Sequence, residues 1–305
     1  MAYSIFIDGE VGTTGLQIRD RLLGRDDINL IQIDPERRKD AAARRDAFEA
    51  ADIGILCLPD DAAREAVELT TDMDVRLIDA STAHRVHDDW VYGFAELAPD
   101  TRDRIAGARL VSNPGCYSTG SIAIIAPLLA AGLIDEEEGV SINAVSGYTG
   151  GGKALIREYE DGGAPAHFVY GLAQNHKHIP EIMAYTGLLI QPVFAPSVGD
   201  FAQGMAVQVP LHLDDERSVT TLYEALADHY ADQHFVRVET ADTIGARIVP
   251  TALNDTNMMR ISVHGDDTVG CATIVAVLDN LGKGASGAAV QNLNIMLGLP
   301  ESTGL

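Results

Sequence analysis

The apolar positions of the N-terminal third fall in short unbroken runs: Tyr3–Ile7, Leu30–Ile33, Ile53–Leu58 and Val75–Ile78. Runs of this length without alternation predict strands covered on both faces. Helical stretches at Leu16–Leu23 and Ala41–Ala51 separate them. Strand alternating with helix implies right-handed crossovers and a parallel sheet, so residues 1–115 are predicted to form a doubly wound α/β domain. Beyond Cys116 the pattern changes. Val140–Val145, Leu188–Val193, Met205–Leu211, Phe235–Val238 and Met259–His264 predict strands, several with polar–apolar alternation. Glycine-rich loops (Gly147–Gly152, Gly162–Gly163) and a helix at Val219–Tyr230 intervene. Residues 116–283 are therefore expected to form a second, α+β domain with a mixed or largely antiparallel sheet, followed by a helix at Ala285–Leu297.

Composition narrows the class. With 305 residues the chain can support two cores. No apolar run approaches the ~20 residues of a membrane span, and the opening strand leaves no place for a secretory leader. Three cysteines make no disulfide framework, which points to a reducing cytoplasm. Cys57 and Cys271 sit in apolar runs and are read as buried packing residues. A net charge of −23 argues against nucleic acid as a partner and obliges any anionic ligand to find locally concentrated cations. Only four of those cations are lysines, Lys39, Lys153, Lys177 and Lys283. So acidic and lysine-poor a chain fits growth in high salt.

Candidate chemistry then concentrates in a few places. Asn113-Pro114-Gly115-Cys116-Tyr117-Ser118-Thr119 sets a cysteine after a turn and before the helical run Ser121–Ala131. A thiol near a helix N-terminus meets partial positive charge and N–H groups, which favour thiolate, the nucleophile of acyl chemistry. The alternative is a buried structural cysteine. Gly9-x-x-Gly12-Thr13-Thr14-Gly15 follows the first strand and opens the first helix, the place of a pyrophosphate-binding turn, although its spacing is not G-x-G-x-x-G. Asp34 ends the second strand, where an acid favours NAD, but Arg37, Arg38 and Lys39 follow and suit a 2′-phosphate. Residues alone leave the two cofactors open.

His176-Lys177-His178-Ile179-Pro180-Glu181 supplies a base and an orienting carboxylate for a thiol. A metal site and a polar surface loop are the alternatives, but no second histidine–carboxylate cluster completes a metal shell, and no metal is expected. Ser81-Thr82-Ala83-His84-Arg85 follows the fourth predicted strand, with Arg85 placed to clamp an anion or to face solvent. Gly150-Gly151-Gly152-Lys153 is either an anion-holding loop or a mobile one.

Asp8–Leu16, Ser112–Tyr117, His176–Ile182 and Asp279–Ala285, in that order, resemble the shorter type of N-acetyl-γ-glutamyl-phosphate reductase of arginine biosynthesis. The resemblance runs essentially end to end. It implies a Rossmann domain plus a domain like that of glyceraldehyde-phosphate and aspartate-semialdehyde dehydrogenases, assembled as a dimer or tetramer. It implies NADPH as reductant and a small-molecule acyl phosphate as substrate. By it, Cys116 is the nucleophile, His178 the general acid/base and Glu181 the residue orienting that histidine. Arg85, Asn113, Lys153 and His176 would surround the substrate. Gly9, Gly12, Thr13, Thr14, Gly15, Arg37, Arg38, Asn280 and Gly284 would serve the cofactor, with residues 284–305 returning to the first domain. Lys153 departs from the pattern, since relatives can carry arginine there.

Rival readings are reductases of aspartyl phosphate or of a carrier-bound lysine-pathway analogue, a cysteine hydrolase, and a redox-sensing binding protein. The last two leave either the glycine turn or the thiol–histidine pair without a task.

Overall fold

A computed structural model of the chain describes residues 2–305, which divide into two compact units, residues 2–114 with 285–305, and residues 115–284. In the first unit six strands pair in parallel: β1 (Tyr3–Asp8), β2 (Ile28–Ile31), β3 (Ile53–Leu56), β4 (Arg76–Asp79), β5 (Val91–Tyr92) and β6 (Leu110–Ser112). Their order, β2-β1-β3-β4-β6-β5, reverses at β1. Open parallel sheets bind ligands beyond the carboxyl ends of the strands at such a switch point.

Helices α1 (Thr13–Leu22), α2 (Ala41–Glu49), α3 (Asp60–Leu69) and α4 (Thr101–Gly107) connect these strands. Both faces of the sheet are covered, which is why its strands lack alternation. Ile5 and Ile7 point to one side, packed with Ile18 and Leu22 of α1 and with Ala289, Val290 and Leu293 of the C-terminal helix (Gly287–Met296). Phe6 points to the other, packed with Phe48, Leu56, Leu77 and Trp90. A side chain the size of Phe48, 0% exposed, contributes on the order of 2–3 kcal/mol by leaving water.

The second unit is built on a seven-stranded mixed sheet ordered β11-β12-β13-β10-β7-β9-β8. Its strands are β7 (Ser141–Gly147), β8 (His167–Val169), β9 (Val193–Gly199), β10 (Met205–His212), β11 (Val236–Glu239), β12 (Met259–Asp266) and β13 (Cys271–Leu278). Pairs β7–β9 and β11–β12 are parallel, and the rest are antiparallel. Helix α5 (Cys116–Ala130) lies on β10 and β13 and touches α7 (Ile179–Thr186) and α8 (Val219–His229). It is apolar nearly all round, as a helix enclosed by a sheet and two helices must be. Two further helices, α6 (Gly152–Glu160) and α9 (Ala241–Ile244), belong to the unit. No helix among the described residues is long and apolar enough to cross a membrane.

Three expectations need correction. The run Leu188–Val193 is not a strand: β9 begins only at Val193, after Gly187 ends α7 with φ +88°. Leu189 and Ile190 are exposed and Pro192 precedes the strand, so hydrophobicity alone misplaced it. Helix α5 begins at Cys116 rather than at Ser121, because its early hydroxyls bond locally: Thr119 Oγ1 donates to Gly115 O (3.0 Å) and Ser121 Oγ to Tyr117 O (2.8 Å). Cys271 is exposed, not buried, because it opens β13 directly after a turn, with His212 Nδ1 3.7 Å from its sulfur. Cys57 is half-buried rather than fully buried, and desolvation pushes its thiol up to about 12.

Candidate active site

At the carboxyl end of β1 the chain turns through Gly9 with φ +88°, a conformation costly for any other residue. A Cβ there would also collide with the carbonyl of Cys57 at the end of β3. Gly12 N–H donates to Gly9 O (3.0 Å), and α1 starts at Thr13. No side chain caps that helix and no acid stands in its first turn, so the N-terminal ends of Thr13, Thr14 and Gly15 carry the uncompensated dipole that attracts phosphate.

Beside this turn lies a cleft of about 460 Å³ whose walls include Gly9, Glu10, Ile33, Pro35, Arg38 and Lys39. Asp34, three residues past the end of β2, accepts the N–H of Glu36 (2.9 Å) and caps a short 3-10 turn. Arg37 pairs with Asp40 at 2.9 Å, whereas Arg38 and Lys39 line the cleft. A dinucleotide fits these residues, the helix end suiting the pyrophosphate. Below the turn, Asp8 is buried and paired with Arg44 at 2.8 Å, which also reaches Glu65 at 2.8 Å. Burial pushes the Asp8 carboxyl up, against the pull of Arg44.

In the second unit Cys116 is the first residue of α5, and Gly115 before it offers no capping side chain. Glu181 of α7 takes over that duty. Its carboxylate, 1% exposed, accepts the Gly115 N–H at 2.7 Å and the Ser118 hydroxyl at 2.8 Å. Those two charge-assisted contacts fasten the start of α5 to the first turn of α7. His178 is the buried N-cap position of α7, three residues before Glu181. The same connection therefore fixes the backbone carrying thiol and imidazole. His176 accepts the His178 N–H on Nδ1 at 3.1 Å, and the two rings meet edge-on, 4.7 Å between centroids.

Around these groups stand Tyr117, Tyr170 and Phe194. The ring of Tyr117 lies 5.8 Å from that of His178, and that of Tyr170 5.6 Å from that of His176. Tyr117 donates to Ser197 O at 2.9 Å. Burial pushes the Tyr117 hydroxyl far up and that of Tyr170 up to about 12, with a smaller push from charge on Cys116 in each case. Both phenols are thus neutral, the Tyr117 proton being committed to Ser197 O. The sequence reading missed them, although Tyr117 adjoins Cys116 and Tyr170 lies six residues before His176.

Gly284 passes so close to the thiol that a Cβ on it would lie 2.8 Å from Cys116 Cβ. Asn280 is engaged within its own unit, its Oδ1 accepting from Gly204 N (2.8 Å) and its Nδ2 donating to Thr149 Oγ1 (3.1 Å) in the glycine loop. That loop forms a short helical turn, Tyr148–Gly151, and Lys153 in the first turn of α6 is exposed.

Arg85 and Asn113 belong to the first unit, at the carboxyl edge of its sheet. Arg85, 8% exposed, donates from Nε to Asn113 O (3.1 Å) and from Nη2 to Ala80 O (3.3 Å). The side chain of Asn113 donates to Ala285 O (2.9 Å) and accepts from Asn292 Nδ2 (3.2 Å), so its amide braces the C-terminal segment. No group of three or more metal-ligating side chains occurs among the described residues.

Comparison with known proteins identifies the fold and the family. Residues 25–105 match the family model of the semialdehyde dehydrogenase NAD binding domain, and residues 116–280 that of the semialdehyde dehydrogenase dimerisation domain. The aspartate semialdehyde dehydrogenase of Francisella tularensis shares the fold at a TM-score of 0.74 and 15% identity, over 97% of this chain and 100% of that one. A probable aspartate-semialdehyde dehydrogenase of Pseudomonas aeruginosa does so at 0.72 and 14%, over 97% and 99%. Sequence relatives lie much nearer. A Brucella anthropi protein named N-acetyl-gamma-glutamyl-phosphate reductase is 53% identical, over 98% of this chain and 99% of its own length. One from a Nostoc species, named N-acetyl-gamma-glutamyl-phosphate reductase 2, is 50% identical over 99% and 98%. At that identity over nearly its whole length, the chain belongs to the N-acetyl-γ-glutamyl-phosphate reductase family, within the wider semialdehyde dehydrogenases.

Proposed function

We propose that this protein reduces N-acetyl-γ-glutamyl phosphate to N-acetylglutamate semialdehyde with release of phosphate, using NADPH, as a step of arginine biosynthesis. The observation carrying this reading is Cys116 at the head of α5, fastened through Glu181 to the turn that carries His178, in a chain half identical to reductases of that name. The helix end lowers the cost of thiolate. Cys116 Sγ attacks the acyl carbon; a C–S bond forms, and the C–O bond to phosphorus breaks as phosphate departs with the electron pair. First-turn N–H groups of α5 and the neutral phenol of Tyr170 are suited to steady the tetrahedral oxyanion.

When bound, the nicotinamide cofactor supplies the hydride that takes the resulting thioester to the aldehyde level. His178 provides the proton for the reduced oxygen, retrieves it on collapse, and Cys116 leaves as thiolate. Gly9, Gly12, Thr13, Thr14 and Gly15 hold the pyrophosphate, and Arg38 with Lys39 favours the 2′-phosphate of NADP over NAD. Arg37, tied to Asp40, contributes less. Arg85 and Lys153 attract the substrate's anionic groups. Asn113 and Asn280 act as braces rather than contacts, and Gly284 leaves room at the thiol. The protein works as a homo-oligomer through its second domain.

The test is turnover in the phosphorolytic direction, with N-acetylglutamate semialdehyde, phosphate and NADP⁺. Wild type should reduce NADP⁺ only when phosphate is present and should do so poorly with aspartate semialdehyde. Cys116→Ser should retain less than about 1% of the rate, the usual fate of a missing covalent nucleophile. A Cys116→Ser enzyme turning over at a tenth or more of the wild-type rate would remove the covalent mechanism.

A further inference from the structure

A second buried cluster of titratable groups stands at the carboxyl end of β4, and the chemistry above makes no use of it. Asp79, the last residue of that strand, is 0% exposed. Its carboxylate accepts three hydrogen bonds from the loop that follows: Ser81 N to Oδ1 (2.8 Å), Ser81 Oγ to Oδ2 (2.7 Å) and His84 Nδ1 to Oδ2 (2.7 Å). Since a carboxylate only accepts, the proton of that last contact belongs to Nδ1. The imidazole is 7% exposed and stacks on Trp90, with ring centroids 4.4 Å apart and planes 11° apart. One edge and one face of the ring are therefore fixed.

The residue after this pinned histidine is Arg85. Its guanidinium spans the carbonyls that follow β4 and β6, Ala80 O and Asn113 O. Asp79 also accepts the Asn113 N–H on its main-chain oxygen at 2.8 Å, so the same residue anchors both supports of the arginine. The planar fork of arginine binds an oxyanion well only when its direction is set beforehand. Here the setting comes from Asp79, which ties both Ser81 and His84 to the end of β4, rather than from the guanidinium's own contacts alone.

We infer that His84, held by Asp79, is a positioning residue that aims Arg85 at an oxyanion of the substrate, either the phosphoryl group or the carboxylate. The inference rests on the acyl-phosphate chemistry proposed above. Two variants separate the parts of this arrangement. His84→Phe keeps a flat ring against Trp90 and removes the donor to Asp79. His84→Asn gives up the stack and keeps a donor near the place of Nδ1.

Both are assayed with N-acetylglutamate semialdehyde, inorganic phosphate and NADP⁺, varying each in turn, alongside melting temperature. For His84→Phe, KM for one anionic reactant should rise about tenfold, the size of one lost charge-assisted contact, while KM for NADP⁺ stays within about twofold. His84→Asn should recover most of that loss. A rise for phosphate assigns Arg85 to the phosphoryl group, and a rise for the semialdehyde assigns it to the carboxylate; either supports the inference. Unchanged KM values in His84→Phe overturn it. So does a uniform rise in all three that follows a lowered melting temperature, the mark of a merely structural residue. Absence of phosphate-dependent turnover in wild type would instead overturn the proposed function and this inference together.

Discussion

Removing Glu181 should damage the enzyme at two levels at once. The carboxylate is 1% exposed and holds the Gly115 N–H and the Ser118 hydroxyl at 2.7 and 2.8 Å. Each charge-assisted bond is worth roughly 1.5–3 kcal/mol, and deleting the side chain leaves a buried donor unmet. Glu181→Ala is therefore expected to cost about 3–5 kcal/mol and to lower the melting temperature by about 10 °C. Glu181→Gln retains an oxygen for Gly115 N–H, and Ser118 can rotate to accept from the new amide. That exchange of charged for neutral bonds should cost only about 1–2 kcal/mol.

The functional loss follows the same geometry. With the start of α5 detached from the turn bearing His178, phosphorolytic turnover in Glu181→Ala should fall roughly a hundredfold, measured well below its melt. Alkylation of Cys116 by iodoacetamide adds a readout of opposite sign. The lost negative charge opposes thiolate, so Glu181→Gln should react faster than wild type at neutral pH. Glu181→Ala with more than about half of wild-type turnover and an unmoved melt would refute the claim that this residue joins the two helices.

Other outcomes follow from the same structure. Arg44→Met strands the buried Asp8 carboxylate and should cost about 3–5 kcal/mol at neutral pH. Asp8 already has a raised pKa, so the native state holds its proton to higher pH than the unfolded chain, and the burial penalty grows as pH rises from the ordinary 3.8 through the raised value. The variant's deficit should accordingly shrink between pH 7.5 and pH 5 in parallel denaturant titrations; an equal deficit at both would refute the assignment. Gly284→Ala places a methyl 2.8 Å from Cys116 Cβ, so turnover should fall at least about tenfold with NADP⁺ binding retained, as fluorescence titration would show. With a net charge of −23, the chain should melt at higher temperature in molar salt than in dilute buffer, and an unchanged melt would contradict the high-salt reading.

Much of this was legible from residue order, and the exceptions share a cause. Unalternated runs such as Ile53–Leu58 announced a doubly covered sheet because period-2 side chains meet apolar layers on both sides. Cys116 stood out because Pro114 and Gly115 punctuate the chain before it. The strand predicted at Leu188–Val193 failed because exposed Leu189 and Ile190 look the same as buried residues in a sequence. The hydroxyls of Ser118, Thr119 and Ser121 disguised the first turn of α5, since only the folded chain shows that each has a partner. Glu181 was expected to orient His178, and its contacts with Gly115 and Ser118 are long-range facts that no local spacing contains. Tyr170 and Arg44 acquire meaning only through neighbours distant in sequence.

The way the chain divides also sets an order of assembly. The middle domain, residues 115–284, is contiguous and can fold as soon as it has left the ribosome. The first domain cannot, although its strands are made first, because one face of its sheet is closed by Ala289, Val290 and Leu293 near the C-terminus. Until residues 285–296 have been made, Ile5, Ile7, Ile18 and Leu22 lack that cover. A chain stalled or truncated after residue 284 should therefore present a finished acyl-transfer half beside an unfinished, chaperone-dependent nucleotide half, with residues 285–305 needed to complete the earlier-made unit.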